Sequence, residues 1–300
     1  MPVVLRVWSV LTTRVAIVRL MEILFGCIAF SLGIYTEGTN RNLYEIFCKA
    51  TWGSFFLLTI LIFFVEFTQF QTILPVSWKN LPITVASFGG FMNGAAAIIF
   101  PLFVIRNMEC LTQMNRNHCI AMIAATAFSC LNCLAYGAEV YLIKMKQNEQ
   151  HGYMASSLGL LKVFEVFASI IIFISVDKED TGTFKNIHFF WWCIAVYCTC
   201  SLWSFTVIVI VIAECTGKCP FPFGRVLAAF STFSVLLYIS AIAYWTNFID
   251  DKLEQKCSTA EDCRWMKVVI AAVMTGLNLI AYTLDCVYSL KKMCLRVETT

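Results

Sequence analysis

Leu131–Glu139 reads LNCLAYGAE, and Leu277–Asp285 reads LNLIAYTLD. Leu, Asn, Ala and Tyr recur at equivalent positions, and an acid closes both stretches. The offset is 146 residues in a chain of 300. Solenoid repeats run at about 20–50 residues, so a period this long points to one duplicated unit. Both stretches lie inside long apolar runs, which makes the duplicated unit a membrane unit.

The composition agrees. Hydrophobic residues make up 59% and charged residues 14%, against about 25% charged in soluble domains. Mean hydropathy is +0.76. A soluble enzyme is excluded on these grounds, and a net charge of +3 is too small and scattered for a nucleic-acid partner. A spanning helix needs about 20 predominantly apolar residues. Eight runs qualify, at roughly 15–35, 51–72, 83–105, 119–143, 157–176, 187–213, 226–248 and 267–290. The expected fold is an all-α membrane protein of two four-helix units. Its parts are a short N-terminus (1–14), a first unit (15–148), a second unit (149–292) and a tail (293–300). An even number of crossings separates the copies, so the repeat is expected to be parallel, unlike the inverted repeats of many transporters. The first run carries Arg14, Arg19 and Glu22 and lacks a small-residue cleavage site, so it is expected to be a retained helix and not a cleaved leader.

Lys and Arg in short loops set orientation. With the N-terminus cytoplasmic, twelve of the 22 basic residues fall inside and ten outside. The cysteines add direction. Cys110 and Cys119 lie in the connection 106–119, and Cys257 and Cys263 in the connection 249–266. Both connections then face outward. Each spacing permits a local disulfide, and disulfides persist in oxidising compartments. Two candidate disulfides are therefore expected on the outer face, with free thiols in polar loops as the plain alternative.

Six acids sit in or at the ends of the apolar runs: Glu22, Glu66, Glu139, Glu165, Glu214 and Asp285. In the same orientation all six fall toward the cytoplasmic ends of their helices. A charge in hydrocarbon costs about 3 kcal/mol or more unless paired or hydrated. Arg19 precedes Glu22 by three residues and Lys162 precedes Glu165 by three, so each pair is expected to meet on one helix face. Asn132 and Asn278 are expected to hydrogen-bond between helices. The layer has two readings: ion pairs that fix the bundle, or a surface for lipid headgroups or a partner. The first is preferred, because buried polar groups more often set helix packing than carry chemistry.

Smaller features point the same way. Ala86, Gly90, Gly94 and Ala97 line one face of the third run, and small residues let helices approach closely. Pro101 is expected to kink or end that helix. Cys215, Cys219 and Cys294 lie near the inner surface and are speculative palmitoylation sites. Leu284, Tyr288 and Lys291 fit a proposed cholesterol pattern. The three histidines are isolated, and no phosphate-binding loop or nucleophile elbow occurs. No catalytic residue, metal site or cofactor is expected.

Taken together, the stretches LPVSWKNLPIT (74–84), AYGAEV (135–140), GYMASSLGLLKVFE (152–165), ECT and PFPF (within 214–223), SVLLY (234–238) and LNLIAY (277–282) resemble the myeloid-associated differentiation marker family, with its tandem MARVEL domains. The resemblance runs through most of the chain. It implies eight helices, both termini in the cytoplasm, and residence in the plasma membrane or intracellular vesicles. It implies work on cholesterol-rich membrane, on membrane apposition or on vesicle traffic, with lipid and cortical or trafficking proteins as partners. It supplies no catalytic residue. The rival class is a transporter or channel that uses the intramembrane acids. Against it, the acids cluster at one membrane face.

Overall fold

The computed structural model describes residues 13–36, 43–73, 75–105, 116–146, 152–176, 187–215, 223–253 and 262–297. Among the described residues all regular structure is helical. Eight helices are long and apolar enough to cross a membrane. The helices are α1 (Arg14–Tyr35), α2 (Leu43–Thr68), α3 (Leu81–Ile99), α4 (Arg116–Lys146), α5 (Ser157–Ser175), α6 (Ile187–Ile212), α7 (Phe223–Leu253) and α8 (Asp262–Val297). At 1.5 Å per residue, even the 19-residue α5 covers about 28 Å, close to the hydrocarbon thickness of about 30 Å.

Local chemistry sets the ends. The Thr13 hydroxyl caps α1 by accepting from the Ala16 amide at 3.2 Å. Ser156 caps α5 by accepting from the Gly159 amide at 3.3 Å, the usual role of Ser and Thr before a helix. Pro82 sits in the first turn of α3, where a missing N–H costs nothing. Pro101 falls in a six-residue π-helical turn, Phe100–Ile105, that continues α3. A proline cannot donate into the ladder and its ring crowds the preceding turn, so the helix widens there and does not stop. Helix α2 begins at Leu43, earlier than hydropathy indicates. Lys49 donates to Glu45 at 2.7 Å within it, so two charged residues enter the helix as a pair.

The chain divides into two compact units, Met1–Ala155 and Ser156–Thr300. In the first, α4 packs along α1 and α3, and α2 packs against both α1 and α3. Its core is aromatic: Trp52 meets Phe100 edge-on, Phe55 meets Phe88 and Tyr136, and Tyr44 stacks on Phe103. Residues 152–155 belong to this unit because the Asn80 side chain accepts from the Met154 amide at 3.1 Å. In the second unit, α8 packs along α5 and α7, and α6 packs against both α5 and α7. Its core joins Ile172, Tyr197, Tyr238, Ala241 and Tyr282.

The small face of α3 meets α4 at Gly90 and Gly94, where an added Cβ would stand 3.5 Å from Tyr136 Cβ and 3.1 Å from Cys133 Sγ. Its most deeply buried stripe also takes in Ala86, Gly89, Asn93 and Ala96. The closest approach among the α3 glycines is at Gly89, where an added Cβ would stand 3.0 Å from the Tyr136 ring.

Candidate functional site

The inward face of α4 carries Ser129, Asn132, Tyr136 and Glu139. Steps of three and four residues put them on one stripe of a helix, and all four are buried. Thr275, Asn278, Tyr282 and Asp285 form the same stripe on α8, also buried. Each stripe meets a set of polar groups on the other helices of its own unit.

In the first unit, Arg19 on α1 donates through Nε to Glu139 and through Nη1 to Glu66. Glu66 also accepts from Trp78 Nε1 at 3.2 Å. One turn along, Tyr136 Oη donates to the Phe55 carbonyl at 3.2 Å and lies 2.8 Å from the Thr59 hydroxyl. Asn132 Nδ2 donates to Asn93 Oδ1 at 3.1 Å, and Asn93 Nδ2 donates to the Gly89 carbonyl at 2.9 Å. Trp52 Nε1 donates to Ser129 Oγ at 2.8 Å, and Ser129 donates to the Asn93 carbonyl at 3.0 Å.

In the second unit, Lys162 on α5 bridges Glu165 and Asp285, each at 2.8 Å. Its ammonium also stands 5.3 Å from the centre of the Tyr282 ring, within range of a cation–π attraction. Ser204 Oγ donates to Glu165 Oε2 at 2.6 Å. Tyr282 Oη donates to the Cys200 carbonyl at 3.1 Å and lies 3.0 Å from the Ser204 hydroxyl. Asn278 Nδ2 donates to Tyr238 Oη at 2.7 Å and to Ser169 Oγ at 3.2 Å. The hydroxyls of Tyr197 and Thr275 are 2.9 Å apart, and Trp245 Nε1 donates to Tyr197 Oη at 2.7 Å.

The nets correspond pair by pair at a near-constant sequence offset. Arg19–Glu139 answers to Lys162–Asp285. Asn132–Asn93 answers to Asn278–Tyr238, and Trp52–Ser129 answers to Tyr197–Thr275. Tyr136 with Thr59 and the Phe55 carbonyl answers to Tyr282 with Ser204 and the Cys200 carbonyl. In both units the first helix is tied to the fourth by a buried cation and acid. The second helix is tied in by a tyrosine that satisfies one of its carbonyls.

Several expected residues fall elsewhere. Arg19 does not take Glu22 as its partner; its guanidinium turns across the bundle to Glu139 and Glu66. A planar fork with several donors reaches two acids on other helices more readily than it folds back on its own. Glu214 leaves the layer. Helix α6 has ended at Ile212, and Glu214 is exposed in a turn with a positive φ of 55°. Cys119, near the start of α4, is disulfide-bonded; Cys110 and Cys257 lie outside the described residues, as does the side chain of Cys263 near the start of α8. Cys215 is half-buried, with its thiol 3.4 Å from the Ala213 carbonyl. Cys219 and the side chain of Cys294 lie outside the described residues.

Sequence reasoning missed Thr59, Asn93, Ser129, Ser169, Ser204, Tyr238 and Thr275. Ser129 and Thr275 stand three residues before the repeated Asn, and extending the repeat backwards would have found them. Thr59 and Ser204 emerge only when the same offset is applied to α2 and α6.

Chemically the nets join helices. Charged pairs lock first to fourth, and hydroxyls and amides occupy buried backbone carbonyls. Eight apolar spans held by internal polar contacts define a multi-pass helical membrane protein. Within that class the relatives are specific. The chain is 37% identical to the myeloid-associated differentiation marker homolog of Xenopus laevis, covering 96% of each protein. It is 33% identical to the human myeloid-associated differentiation marker, over 93% of this chain and 88% of that one. It is 32% identical to the mouse myeloid-associated differentiation marker-like protein 2, over 93% and 91%. The chain belongs to the myeloid-associated differentiation marker family. No family model and no solved structure matches it.

Proposed function

We propose that this protein is a non-enzymatic organiser of ordered, cholesterol-rich membrane, acting in the plasma membrane and on vesicles that exchange with it. In this reading its two units are parallel MARVEL bundles, and both termini are cytoplasmic. Disulfides 110–119 and 257–263 close the outer loops. The observation that carries the reading is the division of labour in each unit. The buried polar side chains engage one another across helices, while the outer helix faces present Leu, Ile, Phe and Trp. Such a surface is built to be solvated by acyl chains, and mismatch costs of fractions of a kcal/mol per Å sort proteins among bilayers of different thickness. The exposed Leu284, Tyr288 and Lys291 on α8 offer a sterol an apolar face with a polar end. Cortical and trafficking proteins are the expected protein partners, met through the cytoplasmic segments.

Partitioning of the purified chain between ordered and disordered phases of single giant vesicles tests this reading. Enrichment in the ordered phase is the expected outcome, and equal partitioning would overturn it. Ion or proton flux in liposomes distinguishes the rival class, and measurable flux would favour a transporter or channel.

A further inference from the structure

Glu45 and Lys49 stand one turn apart near the start of α2, and Lys49 Nζ donates to Glu45 Oε1 at 2.7 Å. Their side chains are 4% and 15% exposed. The pair is incompletely satisfied. Glu45 Oε2 is buried without a hydrogen-bond partner, and among the described residues Lys49 Nζ bonds Glu45 alone. A charged group shut away from water in this state is costly. Both residues line a groove of about 420 Å³ between α1 and α2, within the range of small-ligand sites, about 300–1,000 Å³. Beyond the pair the wall is apolar, through Ala50, Gly53 and Leu57 on α2 and Phe30 on α1. Ala50 and Leu57 are exposed, so the groove opens on the outer face of the first unit. Gly53 permits the close approach of the two helices, since an added Cβ would stand 2.9 Å from the Phe30 ring. From Glu45 to Leu57 the groove follows α2 for about 18 Å at 1.5 Å per residue. That is close to one leaflet of a hydrocarbon core about 30 Å thick.

The bundle does not need this pair. The offset that takes Trp52 to Tyr197 and Thr59 to Ser204 also takes Glu45 to Phe190 and Lys49 to Ile194. In the second unit Phe190 is buried with Trp245, Val268 and Ala271, and Ile194 packs against them. The same place in the sister unit is therefore closed by hydrocarbon. Packed apolar residues in place of a buried ion pair are often neutral or stabilising, so a charged pair in one unit alone calls for a reason other than folding.

We propose that this groove seats one zwitterionic phospholipid, with its phosphate on Lys49, its headgroup nitrogen on Glu45 and an acyl chain along Ala50, Gly53 and Leu57. The order of the charges selects this occupant. The span begins at Leu43, so Glu45 stands nearer the membrane surface and Lys49 lies about 6 Å deeper along the helix. In a zwitterionic phospholipid the phosphate adjoins the glycerol and the chains, and the nitrogen cation is the outermost group. An acid outside a base therefore meets a cation outside an anion. An anionic headgroup would answer Lys49 and leave Glu45 without a partner. A sterol hydroxyl would neutralise neither charge. An ethanolamine nitrogen would donate N–H to Glu45 Oε2, a charge-assisted hydrogen bond, whereas a choline nitrogen would offer charge alone. The site does not depend on the ordered-membrane reading, since a transporter would hold the same lipid in the same groove.

The test uses the full chain in detergent micelles, with bound lipid counted by native mass spectrometry. The probes are phosphatidylethanolamine, phosphatidylcholine and phosphatidylglycerol with identical chains, and cholesterol. The wild type should hold one zwitterionic lipid per chain, at least about tenfold more tightly than phosphatidylglycerol or cholesterol. A lead for the ethanolamine form assigns N–H donation to Glu45, and otherwise the attraction is by charge alone. Glu45→Lys combined with Lys49→Glu keeps an i,i+4 ion pair but reverses its order. That variant should keep the thermal midpoint and lose the zwitterionic preference. Glu45→Phe combined with Lys49→Ile installs the side chains of the second unit and should fold without holding the lipid. A wild type without headgroup preference, or one that holds phosphatidylglycerol or cholesterol more tightly, would overturn the proposal. So would an undiminished preference in either folded variant. The wild-type comparison decides by itself if a variant does not fold.

Discussion

Lys162 is fully buried and bonds two acids that are fully buried with it. Removing one partner of a buried ion pair costs about 3–5 kcal/mol, because the other partner is left charged without water. Lys162→Met should lower the stability of the purified chain by that amount in a detergent unfolding titration. Adding Glu165→Gln and Asp285→Asn to the same chain should recover most of it, since a neutral net no longer needs the cation. Lys162→Met with wild-type stability would mean that the two acids do not depend on the ammonium. The tyrosines carry less. Interhelical hydrogen bonds in membranes average about 0.6 kcal/mol and reach about 1.7. Tyr282→Phe, which frees the Cys200 carbonyl and the Ser204 hydroxyl, should cost about that much in the same titration. A cost near that of Lys162→Met would reverse the ranking of charge and hydroxyl.

Helix contacts turn on single glycines. A Cβ at Gly89 would stand 3.0 Å from the Tyr136 ring and 3.1 Å from the Phe55 ring. Both rings are packed, so α3 must shift, and overpacking costs about 1–3 kcal/mol. A Cβ at Gly137, on α4, meets nothing within 4 Å. Gly137→Ala should be neutral or stabilise by up to about 1 kcal/mol through helix propensity. Thermal unfolding of the two variants side by side checks the sign of each, and equal effects would contradict the packing described. These contacts also show what sequence could convey. The spans were legible because hydropathy is summed over some 20 residues and needs no partner. The small face of α3 was legible at Gly90 and Gly94, which do meet α4, but Asn93 and Ala96 beside it, also buried, were not. The α4 and α8 stripes were half legible: Asn, Tyr and the acid recur in plain sight, but their partners lie on helices many residues away. For the same reason Arg19 was matched to its sequence neighbour Glu22, whereas the fold brings it Glu66 and Glu139.

At the scale of the whole molecule, the outer faces of the helices are apolar. Leu57, Leu61, Leu134, Leu202, Leu236 and Ile280 are each more than half exposed. A water-soluble protein rarely shows such patches, whereas acyl chains solvate them at no cost. Leu134 distinguishes the two environments, because it lies near the middle of α4 and is 69% exposed. On a wet surface Leu134→Arg would change stability little. In the middle of a lipid-facing helix an arginine costs about 2.5–3.5 kcal/mol on insertion scales, enough to reduce integration by two orders of magnitude where insertion is finely balanced. Leu134→Arg should therefore shift the chain from the carbonate-resistant membrane fraction to the extracted or degraded pool, while Leu134→Ala stays integrated. The same arginine at Tyr141, exposed about two turns nearer the end of α4, should be better tolerated, because the long side chain can reach the headgroups. Equal integration of Leu134→Arg and wild type would mean that this face of α4 does not meet acyl chains, and the apolar exterior would then need a protein partner to cover it.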